Sequence, residues 1–101
     1  MYARLVMFTL GSGKRVVAEK MADQFLGVMQ GLVGFKGATF LLDEAVGEYG
    51  ALSLWASKKD ADAAGEVMTG SLRQALDGLV QGPPIQRTFE VYEPVPVASA
   101  D

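Results

Sequence analysis

Apolar positions change period along the chain, and the changes outline its elements. Tyr2 to Thr9 (YARLVMFT) alternates imperfectly, with Tyr2, Arg4, Val6 and Phe8 on one face and Ala3, Leu5, Met7 and Thr9 on the other. Both faces are mostly apolar, which predicts a central strand covered on both sides. Leu10 to Gly13 is a connection, with Ser12 placed to cap a helix. From Lys14 to about Leu32, Val17, Met21, Phe25, Val28, Met29 and Leu32 recur at helical spacing opposite a charged side, predicting an amphipathic helix that ends near Gly31 or Gly34. Phe35 to Asp43 reads as a second strand with a bulge at Gly37. A polar connection over 43–48 then leads antiparallel into a third strand, Glu48 to Ala56.

Ser57 and Asp60 form the S-x-x-D version of a capping box at the end of that strand. Ala61, Ala64, Met68, Leu72, Ala75, Leu76 and Leu79 keep helical phase up to Val80, interrupted at Thr69-Gly70-Ser71. The interruption predicts a short helix, a break and a second helix capped by Thr69 or Ser71. Gly82-Pro83-Pro84 stops it, and Ile85 to Glu93 (IQRTFEVYE) alternates cleanly as a last strand. Residues 1–94 form one α+β domain on this reading, and residues 95–101 a flexible tail.

The order β-α-β-β-α-β predicts a ferredoxin-like fold, a four-stranded antiparallel sheet with both helices on one face. The other face is then bare, and four apolar strands do not stay open to water. Composition leads to the same expectation: half of the 101 residues are hydrophobic and only 21% are charged, so part of the apolar surface is expected to cover a homodimer interface. A net charge of −3 with no basic run makes nucleic acid and anionic membrane poor partners. No run is long and apolar enough for a membrane span, no signal-peptide layout opens the chain, and cysteine is absent, all as expected of a cytoplasmic protein. Histidine is absent too, which removes the commonest general base and metal ligand.

At this point the chain resembles the antibiotic biosynthesis monooxygenase-like group of the dimeric α+β barrel superfamily. The resemblance rests on the N-terminal apolar strand running through Gly11-Ser12-Gly13-Lys14 into an amphipathic helix, and on Val33-Gly34-Phe35-Lys36-Gly37 opening the second strand. It rests further on Leu54-Trp55-Ala56-Ser57 before Lys59-Asp60, and on the closing aromatic strand, so that it spans residues 2–93. It implies a homodimer joined through its sheets, with an apolar cavity in each subunit between sheet and helices. Some members of such a family oxidise quinone-forming aromatics with O2 and no metal, flavin or other cofactor. Others cleave haem with a strand asparagine, a helix tryptophan and a helix histidine; Val6, Ala64 and the Leu72–Ala75 region stand where those would fall, so none is present.

Candidate chemistry is sparse. Gly11-Ser12-Gly13-Lys14 departs from a phosphate-binding loop and reads as a tight turn. Phe8, Phe40, Phe89, Met7 and Met21, with Tyr49, Trp55 and Tyr92, are either core or the wall of an aromatic-binding pocket. Arg4 and Arg87 sit mid-strand among apolar neighbours on strands expected to be adjacent, with Glu90, Glu93 or an anionic ligand as available partners. They form either an interface salt bridge or a clamp for a phenolate or carboxylate. The candidate substrate-binding set is Arg4, Arg87, Tyr49, Trp55 and Tyr92. No catalytic residue, metal site or cofactor site stands out. Two functions fit: a cofactor-independent monooxygenase acting on a small aromatic, or a non-catalytic dimeric module that binds a small hydrophobic ligand or serves a structural role.

Overall fold

The computed structural model describes residues 1–96. Its elements are β1 (Tyr2–Thr9), α1 (Arg15–Gln30), β2 (Phe35–Asp43), β3 (Glu48–Trp55), α2 (Lys58–Leu76) and β4 (Ile85–Glu90). The strands lie in the order β2-β3-β1-β4, every neighbouring pair antiparallel, which is the ferredoxin-like arrangement expected. The β2 bulge falls between Phe35 and Gly37, where glycine was expected to mark it.

Register sorts the side chains into two faces. Tyr2, Arg4, Val6 and Phe8 stand opposite Trp55, Ser53, Ala51 and Tyr49 of β3, and this face carries the helices. One buried cluster gathers Phe8, Leu10 and Tyr49 against Met21 of α1 and Leu72 of α2. A second gathers Trp55 with Met29, Ala61, Ala64 and Met68, and Phe25 packs against both. Trp55 is fully buried, edge-on to Phe35 at 5.4 Å between ring centroids. No helix covers the opposite face, where Leu41, Leu52, Ile85 and Phe89 are 37–52% exposed. Among the described residues the central strands are therefore covered on one side only.

Ser57 caps α2 as the sequence predicts, its hydroxyl accepting from the Asp60 N–H at 3.1 Å. Four local expectations give way. The second helix is unbroken from Lys58 to Leu76, because Met68 and Leu72, one turn apart and both buried, hold the Thr69-Gly70-Ser71 segment in register. It also stops before Val80, at a turn containing Gly78 with φ +75°. Ser12 does not cap α1; Lys14 occupies that position without a side-chain cap bond. β4 ends at Glu90 rather than Glu93, although the Val91 N–H still reaches the Met1 carbonyl at 2.9 Å. Val95 is 84% exposed, and the remainder of the expected tail, residues 97–101, lies outside the described residues.

Candidate functional site

A cavity of about 120 Å³ lies between α1, α2 and the helix-covered face of the sheet. Its walls are chiefly Phe8, Met21, Phe25, Phe40, Met68 and Leu72. For scale, an apolar cavity of about 150 Å³ admits one benzene ring. The exposed lining residues Arg15, Glu19 and Leu42 mark its opening between α1 and β2. There the Arg15 guanidinium contacts Glu44 at 3.1 Å and Glu19 at 3.8 Å, pairs too solvated to add much stability.

Arg4 comes from the middle of β1 and is 6% exposed. Its Nη2 donates to Gln86 Oε1 at 3.2 Å, and the same oxygen accepts from Thr69 Oγ1 at 3.1 Å. The guanidinium fits beneath α2 because residue 65 is glycine: a Cβ there would lie 3.1 Å from Arg4 Nε. The ion pairs of the described residues join Arg15 to Glu19 and Glu44, and Lys58 to Asp62; none includes Arg4. Burial lowers the Arg4 pKa from its ordinary value and the Asp62 carboxylate works in the opposite direction. An arginine so placed stays charged at any physiological pH.

Tyr49, 3% exposed, lines the same cavity, and its hydroxyl has no hydrogen-bond partner among the described residues. Leaving such a group unpaired costs about 1–3 kcal/mol, which calls for an explanation. Ser53 also lines the cavity, but its Oγ accepts from Trp55 Nε1 at 2.9 Å and holds the indole in the core.

Of the five residues singled out in the sequence, the cavity brings together Arg4 and Tyr49. Trp55 packs behind Ser53 and does not line it. Arg87 pairs with Leu5, one position out of step with Arg4, and so projects from the bare face, its guanidinium 4.7 Å from the Phe89 ring centre. The expected clamp of Arg4 with Arg87 is therefore not formed, although the two strands are adjacent. Tyr92 lies beyond β4 and is 78% exposed. Neither Glu90 nor Glu93 forms an ion pair with Arg4; its side-chain partner is Gln86. Gln86 and Gly65 were not singled out in the sequence. A glycine in the middle of a helix, where it ends nothing, was the available signal for the second. Gly11 and Gly13, at φ +87° and +76°, make the tight turn expected before α1.

No protein-family model matches the chain, and no curated protein matches it. Solved structures do match, and they define its fold as that of the antibiotic biosynthesis monooxygenase-like proteins. SnoaB, a cofactor-independent oxygenase from Streptomyces nogalater, is 16% identical, with a TM-score of 0.69 over 95% of this chain and 96% of that one. The ActVA-Orf6 monooxygenase of Streptomyces coelicolor, solved with nanaomycin D, is 17% identical, with a TM-score of 0.69 over 96% and 92% of the two chains. NE2512 of Nitrosomonas europaea, of unknown function, is 15% identical with a TM-score of 0.74 over 96% and 95%. At these identities the likeness is one of fold.

Proposed function

We propose that this chain is a cytoplasmic, homodimeric, cofactor-independent monooxygenase that oxidises a small quinone-forming aromatic compound with O2. The observation that carries the reading is the open, mostly apolar cavity of single-ring size, in a fold shared with a cofactor-independent oxygenase and with a further monooxygenase. Met7 and Trp55 do not line it, and the bulky side chains that do, among them Phe8, Phe25 and Phe40, leave the space between them open. A phenol oxidised at the position ortho to its hydroxyl would yield a quinone and water. One oxygen atom enters the ring as the new carbonyl and the other leaves as water, with all four electrons coming from the substrate. The protein's task is to orient the ring, exclude bulk water and favour the phenolate. Tyr49 and, at the opening, Glu19 are the lining groups able to carry the proton.

The dimer is inferred from the bare face. Leu5, Leu52, Leu54, Ile85 and Phe89 lie together on it, and a second copy laid face to face would remove them from water. The test is oxygen uptake by purified protein with single-ring phenols, hydroquinones and anthrones, followed with labelled O2. Protein-dependent uptake, label in the quinone and insensitivity to chelators are expected, with single-ring compounds preferred over tricyclic anthrones. No uptake across the panel, or peroxide without label in the product, would contradict the reading. Ligand binding without uptake would instead favour the non-catalytic module, for which the absence of histidine speaks.

A further inference from the structure

The cavity is apolar along most of its wall, and two of its buried polar side chains with unused hydrogen-bonding capacity, Arg4 and Tyr49, stand at opposite ends. Arg4 lies across from Ser53, and Tyr49 lies across from Phe8. Four residues of β3 separate the two levels, about 13 Å at the usual strand rise. Both side chains are more than nine-tenths buried. The guanidinium has five N–H donors, and its side-chain bond is made to the neutral amide of Gln86. The Tyr49 hydroxyl can donate and accept and does neither. Asp62 and Glu66 lie beside Arg4 in an open groove outside the cavity, between α2 and β4; no carboxylate of the described residues forms an ion pair with it. A buried cation at one end and an unpaired hydroxyl at the other, with room for one ring between them, make a site with a defined polarity.

We propose that the cavity binds a single-ring aromatic anion whose charged oxygen pairs with Arg4 and whose para substituent meets the Tyr49 hydroxyl. This rests on the reading of the cavity as the ligand site and adds the charge and orientation of the ligand. The anionic oxygen belongs to a carboxylate or a phenolate, and Arg4 suits either. Gly65 and Gln86 are positioning residues here: the glycine leaves room for the guanidinium, and the amide holds one of its nitrogens.

Titration calorimetry of the full chain at neutral pH tests this with 4-hydroxybenzoate, 4-nitrophenolate and neutral 4-methylphenol. The anions are expected to bind about ten- to a hundredfold more tightly than 4-methylphenol, and the tighter of the two names the charged group. Arg4→Met, which keeps the apolar stem, should abolish that preference while 4-methylphenol still binds. Tyr49→Phe should weaken 4-hydroxybenzoate but not 4-methylbenzoate. If 4-methylphenol binds the wild type as tightly as the anions, the proposal is overturned and the cavity reading stands. If none binds, both fall. A preference that survives Arg4→Met overturns the role of Arg4. The wild-type comparison decides the ligand's charge even if a variant does not fold.

Discussion

Arg4 and Arg87 occupy neighbouring strands, sit among apolar residues and look interchangeable along the sequence, yet the sheet sends them to opposite sides. Arg4 goes beneath the helices, 6% exposed, hydrogen-bonded to a neutral amide at the edge of a cavity. Arg87 lies on the bare face against the ring of Phe89. The difference between them is the difference between the two faces. One is closed by α1 and α2 except at the cavity; the other is apolar and left uncovered by the described residues. A buried charge on the first face points to a ligand, whereas an arginine stacked on an aromatic on the second points to another protein surface.

Substitutions on β3 separate the faces most sharply. Trp55→Ala removes the fully buried side chain of the helix-covered face and should lower folding stability by about 3–5 kcal/mol, read by urea denaturation. Leu52→Asp, three residues away on the bare face, should leave the fold largely intact. It should weaken dimerisation by about two orders of magnitude in sedimentation, by placing an unpaired charge in the interface. Equal effects of the two on folding would erase the distinction between the faces.

Smaller effects probe the cavity itself. Tyr49→Phe removes an unpaired buried hydroxyl and should raise stability by about 1 kcal/mol, although it removes the proposed ligand contact. A loss of stability would mean that the hydroxyl is satisfied in solution. Gly65→Ala should gain less than the about 0.8–1.0 kcal/mol that helix propensity offers, since its Cβ crowds Arg4. In the Arg4→Met background the full gain should return, and a double-mutant cycle measures the difference.

Much of this architecture was legible in the sequence because it is local. The alternation in Tyr2 to Thr9 gives both faces of β1, and Ser57 with Asp60 marks the start of α2 within one residue. What failed depends on distant partners. Thr69-Gly70-Ser71 reads as a break by propensity, but a break would separate Met68 from Leu72, whose joint burial outweighs three weak helix formers. The register of β4 on β1 decides that Arg87 matches Leu5 and not Arg4, and only the closed sheet sets that register. From the sequence Trp55 is either core or cavity wall. Its bond to Ser53 and its contact with Phe35 place it in the core.

The most direct test of the contrast between the faces is to watch which one a ring occupies. With methyl-labelled protein and a saturating single-ring phenol such as 4-hydroxybenzoate, NMR signals from Met21, Met68 and Leu72 should shift, while those of Leu5, Leu52 and Ile85 stay in place. Shifts confined to Leu5, Leu52 and Ile85 would contradict the account, because the ligand would then occupy the face assigned to the second subunit.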